Sequence, residues 1–340
     1  MSAAATFDPI EAILVAARPL LFGGVPCESI GRSDGHIEAI GPHEPLHEAV
    51  SRMWWRKVGA LPVLEGGRLV GAVAEDDLLH VLAQRLHERS DAVASAGADL
   101  VVWESLLDRV SVGDAMTPLA DLAAVRTGTP LLAAIEASFG PTAARRRKSY
   151  LFVLDEEGAP ERVISFRDIT RHLVRLYDGE TSAAAFGNAS LHAEAQQLAW
   201  RVLDLSLGTL LDHERLGSQP PPLAAETAGP ETIVRMVDRA LGFAIVAAPD
   251  GAVRGICTRR DLLRALKNPF ARVDALRAAR MMTEPVKTVT RIDTLCGLFK
   301  MMAIEGFRHM PMVDADDRLL RVISLWQGIG LLAHCRDEEH

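Results

Sequence analysis

Four places in the sequence could bind a phosphorylated nucleoside, and each follows a run of apolar residues. The pairs of residues concerned are Ala74 with Asp77, Ser165 with Asp168, Thr258 with Asp261, and Ser324 with Gln327. If each apolar run is a strand and each pair opens a helix, the hydroxyl and the first helical N–H groups can hydrogen-bond a phosphate. A carboxylate one turn into the helix can accept hydrogen bonds from both hydroxyls of a ribose, as an acidic residue does in dinucleotide-binding folds.

The same spacing also has a purely structural interpretation. Ser or Thr followed three residues later by an acid or an amide is a helix capping box. Only the second and third pairs keep both the hydroxyl and the carboxylate, since the first lacks the hydroxyl and the fourth lacks the acid. We therefore expect one strong ligand site in each half of the chain, a weaker contact at Asp77 and little binding at Ser324.

The four pairs close four similar passages, which indicate a repeated unit. Each passage is typical of a short strand, a polar turn, a second strand and a helix start. With Pro62, Phe152, Ala244 and Pro311 taken as equivalent, the last residue of each pair follows after 15, 16, 17 and 16 residues. Spacing this regular predicts four copies of one supersecondary unit.

An amphipathic helix precedes each hairpin and has its own start signal. Proline at the first helical position and threonine at the N-cap both favour a helix start, and such residues stand at Pro45, Pro130, Pro230 and Thr290. Short strands are predicted before three of these helices, over 36–40, 122–126 and 286–289, whereas Pro220-Pro221-Pro222 obscures the one in the third repeat.

The unit is therefore β-α-β-β-α, and the fold class is α/β in the α+β sense. One such unit is too small to bury a good core, so we expect the first two and the last two to pair sheet against sheet. The predicted boundaries are 9–90 for repeat 1, 108–178 for repeat 2, 198–268 for repeat 3 and 274–335 for repeat 4. An Ala-, Ser- and Gly-rich segment, 179–197, is predicted to be a linker.

At this point the chain resembles the cystathionine-β-synthase (CBS) domain family. The resemblance is carried by Met116-Thr117-Pro118, Met282-Thr283-Glu284-Pro285, Gly255–Leu263 and Gly306–Asp314, and it extends over nearly the whole chain. It implies two repeats per Bateman module and two modules that can pack as a disc, similar in layout to the gamma subunit of AMP-activated protein kinase. It also implies adenosine-containing ligands such as AMP, ADP or ATP, bound between repeats.

The resemblance extends the set of candidate ligand residues beyond the four pairs. Basic residues just before the middle strand often point into the cleft in this family, and Arg308, His309, Arg147 and Lys148 hold that position here. Arg259 directly follows Thr258. Thr117 and Thr283 start the stretches that would lie against the adenine. Each of these residues also has a simpler interpretation, as a solvated loop charge or a structural turn.

Composition narrows the function classes. Apolar residues make up 49% of the 340 residues and charged residues 24%, which excludes a disordered or collagen-like chain. With 37 basic and 45 acidic residues the net charge is −8, which disfavours a nucleic-acid partner. Four scattered cysteines favour a reducing compartment, and no uncharged run is long enough to span a membrane. We expect a cytoplasmic protein with no membrane association.

Sequence motifs for catalysis and metal binding are missing. The chain has no H-E-x-x-H, G-x-S-x-G or P-loop, and His43 and His47 are separated by Pro45. We therefore expect no catalytic residues, no metal site and no required cofactor. The leading hypothesis is a regulatory module, monomeric or homodimeric, that senses an adenine nucleotide and signals to an unknown regulated protein. The alternative is a structural interaction module with degenerate clefts.

Overall fold

The computed structural model describes residues 8–31, 37–93, 107, 109–139, 150–186, 188–212, 219–237, 241–266, 272 and 276–333. Helices alternate with small sheets throughout these ranges, which confirms the predicted α+β class. The amino-terminal segment contains α1 (Pro9–Arg18), a π-helix (Pro19–Gly23) and a 3-10 turn (Cys27–Ser29).

The first half of the chain holds two of the predicted units. Its elements are α2 (Leu46–Arg56), β1 (Ala60–Glu65), β2 (Arg68–Ala74), α3 (Glu75–Val93), α4 (Val112–Ala115), β3 (Thr117–Pro118), a 3-10 turn (Leu119–Asp121), β4 (Ala124–Arg126), α5 (Leu131–Ser138), β5 (Tyr150–Leu154), β6 (Pro160–Ser165) and α6 (Phe166–Tyr177). The strand–turn–strand–helix order predicted from the turn residues is present in both units.

The second half repeats the pattern after a helical connection. Its elements are a 3-10 turn (Ala183–Phe186), α7 (Ala189–Leu203), α8 (Leu207–Asp212), β7 (Leu223–Ala224), α9 (Gly229–Val237), β8 (Phe243–Ala247), β9 (Val253–Thr258), α10 (Arg259–Leu266), α11 (Ala278–Met281), α12 (Leu295–Glu305), β10 (His309–Val313), β11 (Leu319–Ser324) and α13 (Leu325–Leu332).

The antiparallel hairpins set which residues are equivalent between repeats. The register joins Ala60 to Ala74, Tyr150 to Ser165, Phe243 to Thr258 and His309 to Ser324. Ile245, and not Ala244, is therefore the equivalent of Pro62 in the third repeat. The spacing of 17 assumed there was wrong and becomes 16, as in the second and fourth repeats.

The predicted strands ahead of the hairpins are shorter than expected. β4 pairs in parallel with β5, but Ile40 and Val289 each make only a single parallel bridge, to Val63 and Met312. In the third repeat, β7 begins directly after the proline run and pairs in parallel with β8. The prolines cannot donate ladder hydrogen bonds, so pairing starts only at Leu223.

The Met-Thr segments add a strand to the sheet of the repeat before them. β3 pairs antiparallel with β2, through Gly71 with Pro118 and Ala72 with Thr117. Thr283 makes the matching bridge to Ile256 on β9. The second and fourth repeats thus begin by completing the first and third.

Two kinds of apolar contact hold the repeats together. Within each half, the two sheets face one another through small clusters, which include Leu69 with Phe152 in the first half and Ile245 with Val322 in the second. Between the halves, helices of the first repeat share a large core with those of the third, and helices of the second with those of the fourth. All four repeats consequently meet near the middle of the molecule.

The interval 179–197 is more structured than its prediction as a linker. α7 begins inside it, capped by the side chain of Asn188, which accepts a hydrogen bond from the N–H of Leu191 at 2.9 Å. Ala195 and Ala199 are fully buried against the core shared by the second and fourth repeats. Small side chains here allow close helix packing, and composition alone did not distinguish that role from flexibility.

His172 is buried in this same core, between α6 and the π-helix. Burial lowers the pKa of its imidazole to about 4, although a hydrogen bond with the Leu21 backbone opposes the change. Because the unfolded chain keeps a pKa near 6.5, it binds the proton more readily than the folded chain between these values. Stability is therefore retained above pH 6.5 and lost as the pH falls toward 4.

We expect the His172 contribution to the free energy of unfolding to fall by about 2 kcal/mol between pH 7 and pH 5. The measurement is urea denaturation of the wild type and of His172→Phe at both pH values, since carboxylates affect the two proteins alike. Equal pH dependence in the two proteins would show that His172 ionises freely in the folded chain.

Two further observations concern single elements. Within the described residues, no helix combines the length and apolar character needed to cross a membrane. Of the two adjacent tryptophans at the end of α2, Trp54 packs on the core shared by the first and third repeats, whereas Trp55 is 79% exposed.

Candidate functional site

The Ser165–Asp168 junction is a capping box that leaves one carboxylate oxygen turned toward a cation. Oδ2 of Asp168 accepts hydrogen bonds from the N–H and the hydroxyl of Ser165, at 2.9 and 2.5 Å, and the Asp168 N–H returns one to the Ser165 hydroxyl. Oδ1 faces the guanidinium of Arg171 at 3.2 Å, and 15% of the Asp168 side chain is exposed. Capping and ligand binding are therefore compatible at this junction.

The Thr258–Asp261 junction is more completely closed. Oδ2 of Asp261 accepts hydrogen bonds from the N–H and hydroxyl of Thr258, at 2.8 and 2.7 Å. Oδ1 accepts from the hydroxyl of Thr283 at 2.8 Å and lies 2.9 Å from Arg264. Only 3% of Asp261 is exposed, so a ribose could reach its carboxylate only by displacing these partners.

Asp77 has the same arrangement in the first repeat. Its Oδ2 accepts from the N–H of Ala74 at 2.8 Å, its Oδ1 accepts from the hydroxyl of Thr117 at 3.0 Å, and 3% of the residue is exposed. Thr117 and Thr283 thus both bind the aspartate of the preceding repeat. Nothing corresponds to them in the fourth repeat, where Ser324 and Gln327 form a neutral capping box.

Six side chains from the four repeats form a central charge cluster where the halves meet. The members are Glu75 and Asp76 from the first repeat, Tyr150 from the second, Arg259 and Arg260 from the third, and Arg308 from the fourth. Arg308 donates to the carboxylate of Glu75 and, at 2.6 Å, to the hydroxyl of Tyr150. Arg260 lies 3.6 Å from the other Glu75 oxygen, and Arg259 is paired with Asp76.

Two glycines make room for this cluster. A Cβ on Gly59 would lie 2.0 Å from the Tyr150 hydroxyl and 2.4 Å from Arg308, and a Cβ on Gly242 would lie 2.0 Å from the Arg259 guanidinium. By the hairpin register, Gly59 and Gly242 are the equivalents of Arg308 itself. A bulky cation in one repeat is therefore matched by glycine in the two repeats that face it.

The charges in the cluster act strongly on one another. Burial raises the pKa of Tyr150 to about 12 and Glu75 and Asp76 raise it further, whereas Arg308 lowers it. Burial works to lower the pKa of Arg308, but the attraction of Glu75 outweighs burial and holds it above its usual value. Both groups therefore stay in their ordinary ionisation states, a neutral phenol and a cation, at neutral pH.

Arg167 stands next to the cluster and is less well compensated. Its Nη1 lies 3.0 Å from the place of a Cβ on Gly306, two residues before Arg308. Burial, together with the guanidiniums of Arg308 and Arg171, lowers the pKa of Arg167. Its Nε is buried without a hydrogen-bond partner in the part of the chain that the structure describes. Such a cation is stabilised by any anion that reaches it.

The other predicted ligand residues have individual surroundings. The ring of His309 packs against Phe243, with centroids 4.7 Å apart. Arg259 is 7% exposed and already paired, which leaves it little freedom to bind a ligand. Arg147 and Lys148 lie outside the described residues. Among the described residues, no three His, Cys, Asp or Glu side chains come together as metal ligands.

Comparison with known proteins assigns the family. Residues 34–84 match the CBS domain family. This chain is a CBS-domain protein. Its whole fold is similar to a solved structure from Methanocaldococcus jannaschii, described as a proposed archaeal homologue of g-AMPK. That similarity covers 91% of the CBS-domain chain and 99% of the other, with a TM-score of 0.67 and 14% identity, and it concerns the fold alone.

Two curated relatives of this CBS-domain protein are both uncharacterized. A 17.7 kDa protein of Acidianus ambivalens is 30% identical over 95 residues, which are 28% of this chain and 56% of the relative. A protein of Methanopyrus kandleri is 24% identical over 121 residues, which are 36% of this chain and 59% of the relative. The chain thus spans little more than half the length of either relative.

Sequence analysis missed the acidic half of the central charge cluster. Glu75 holds the position that is Phe166, Arg259 and Leu325 in the other repeats, so aligning the four junctions does mark it as the single acid there. The contact between Glu75 and Arg308 joins residues 233 positions apart. No local pattern could have predicted that partner.

Proposed function

We propose that this CBS-domain protein is a regulatory module that binds an adenine nucleotide between its repeats and passes occupancy to a partner protein. The observation that carries the proposal is the under-compensated cation Arg167 beside the half-open Asp168 junction. Family membership supports a regulatory and not a catalytic role. Binding would favour one arrangement of the two modules, which a partner surface could recognise.

The phosphate end of the ligand is assigned to the guanidiniums around Arg167. Arg167, Arg171 and Arg308 repel one another and lower the pKa of Arg167, so a phosphate among them relieves that repulsion. The N-terminus of α6 adds its unpaired N–H groups and its dipole. These two contributions favour a phosphorylated nucleoside over an uncharged one.

The ribose end is assigned to Asp168. Its Oδ2 is occupied by the capping box, but Oδ1 has only the Arg171 contact at 3.2 Å among the described residues. A ribose hydroxyl could donate to this oxygen without breaking the cap. Asp77 and Asp261 are less suitable, because the hydroxyls of Thr117 and Thr283 already fill the corresponding oxygens.

A second candidate function is a ligand-independent interaction module. The closed junctions at Asp77 and Asp261 favour it, since both carboxylates are satisfied by the chain itself and are 3% exposed. The two candidates differ in a thermal-shift assay. A ligand present at 100 times its dissociation constant stabilises the folded state by about 2.7 kcal/mol, whereas the ligand-independent module would show no shift.

We expect Arg167→Ala to weaken ATP binding by about 10- to 100-fold, because a hydrogen-bonded contact between charged groups is lost. Asp168→Asn is expected to weaken AMP, ADP and ATP alike, since it changes the ribose contact and leaves the phosphate contacts in place. Isothermal titration calorimetry with the three nucleotides measures both effects.

The matched control for these variants is Arg235→Ala on α9. Arg235 is 46% exposed and contacts only Glu231 on its own helix among the printed ion pairs of the described chain. Its replacement should leave nucleotide affinity unchanged. Full affinity in the Arg167→Ala and Asp168→Asn proteins would remove the site from the second repeat, and no binding by the wild type would favour the interaction module.

A further inference from the structure

The central charge cluster contains a carboxylate at a position where a phosphate-binding centre has no need of one. Glu75 opens α3, and its equivalents in the other repeats are Phe166, Arg259 and Leu325. It is 2% exposed although it is ionisable. A buried carboxylate is costly unless it is paired, so its neighbours indicate what it does.

Those neighbours are cations from the opposite half of the chain. Glu75 accepts from Arg308, and its other oxygen lies 3.6 Å from Arg260. Arg308 reaches it across the space that Gly59 leaves open, and Tyr150 holds the same guanidinium by a 2.6 Å hydrogen bond. Arg308, the guanidinium that also acts on Arg167, is therefore already neutralised by an anion of the chain itself.

We propose that Glu75 is a specificity-determining residue, a built-in anion that sets how many phosphate charges the nucleotide may carry. This inference rests on the proposed function, because it concerns the phosphate end of the same site. A ligand with one phosphate is held by Arg167 and Arg171 and leaves the Glu75–Arg308 pair intact. A ligand with three phosphates extends toward Arg308 and meets the Glu75 carboxylate.

The size of the effect follows from Coulomb's law. A phosphate that contacts Arg308 would lie within about 7 Å of Glu75, because both anions share one guanidinium. At the effective dielectric constant of a protein surface, repulsion over that distance weakens binding on the order of tenfold per added charge, less where salt screens it. The wild type should therefore prefer AMP to ATP.

The test is calorimetric titration of the full chain with AMP and with ATP, in the wild type and in Glu75→Gln. The substitution keeps the shape of the side chain, and the N–H of residue 75 still donates to the Gly59 carbonyl. We expect ATP affinity to rise at least tenfold more than AMP affinity. Glu194→Gln, at an exposed position of α7, is the charge-matched control and should change neither affinity.

A second readout is independent of nucleosides. Inorganic tripolyphosphate should raise the melting temperature of Glu75→Gln more than that of the wild type, because it replaces the missing anion at Arg308. An unchanged ATP-to-AMP affinity ratio in Glu75→Gln would overturn the role of Glu75 while leaving the nucleotide site in place. Failure of the wild type and the variant to bind any nucleotide would overturn the proposed function together with this inference.

Discussion

Replacing Gly71 with alanine is expected to lower the free energy of unfolding by about 2–3 kcal/mol. A Cβ at this position would lie 2.6 Å from the sulfur of Met116 and 2.7 Å from the carbonyl oxygen of Thr117. The thioether can turn aside, but the carbonyl belongs to the backbone of β3 and is fixed by its pairing with β2. The strand must therefore move, and the Thr117–Asp77 hydrogen bond is lost with it.

Gly255 tests the same argument in the third repeat. Its Cβ would lie 2.6 Å from the sulfur of Met282 and 2.9 Å from the Thr283 carbonyl oxygen. We expect Gly255→Ala to destabilise the chain by a similar or slightly smaller amount, since the contact with the backbone is 0.2 Å longer. Such agreement would establish that Met-Thr segments of both halves depend on the same close approach.

Gly24→Ala is the control for both variants. No heavy atom lies within 4 Å of its added Cβ, and its φ of −92° is accessible to alanine. Chemical denaturation monitored by circular dichroism should leave Gly24→Ala within about 0.5 kcal/mol of the wild type. A stability of Gly71→Ala equal to that control would mean that β3 is free to shift and does not lock Asp77.

Elements set by local chemistry were predicted from the sequence. The turns at Glu65-Gly66-Gly67 and Pro249-Asp250-Gly251 place glycines where the backbone has a positive φ, so the hairpins around them followed directly. The Thr290 start signal likewise preceded a real helix, although Thr294 provides the cap. Regular spacing of these local signals was sufficient to count the repeats and assign the fold class.

Elements that depend on distant partners were not predicted. The strand expected at 36–40 is a single bridge at Ile40, because its pairing is set by Val63 and not by its own apolar residues. Ala195 and Ala199 gave no sign of burial, since alanine is equally common in flexible segments and tightly packed helices. Composition carries no information about what packs against a segment.

The candidate site divides along the same line. The capping boxes at Ser165 and Ser324 follow from three-residue spacing, and both are present. Whether an aspartate is left open for a ligand depends on Thr117 and Thr283, which lie 40 and 22 residues away from Asp77 and Asp261. The spacing of each pair could therefore suggest a site but could not rank Asp168 ahead of Asp261.

Replacing Arg308 with methionine is expected to lower the free energy of unfolding by about 3–5 kcal/mol, the largest effect that we predict. The methionine fills similar space but leaves the Glu75 carboxylate, 2% exposed, without its closest cation. Arg260 remains at 3.6 Å and is itself 39% exposed, so it compensates only in part. Tyr150 also loses its hydrogen bond.

The loss should be reversed in large part by removing the stranded charge. We expect the double variant Glu75→Gln, Arg308→Met to recover about 2 kcal/mol relative to Arg308→Met, because a neutral amide costs less to bury than a carboxylate. The double-mutant cycle measured by urea denaturation isolates this coupling from the loss of packing. Additive effects would show that the two side chains do not form a pair in solution.

The exposed pair Arg254–Glu284 provides the comparison that separates burial from charge. Its atoms approach to 3.0 Å, yet both side chains are more than 40% exposed, so water screens the attraction. Its cycle should show a much smaller coupling that shrinks further in high salt, whereas the coupling of Glu75 with Arg308 should persist. Persistence in salt would tie the two halves of the chain together through a pair that only another buried anion can replace, and nucleotide phosphates are anions of that kind.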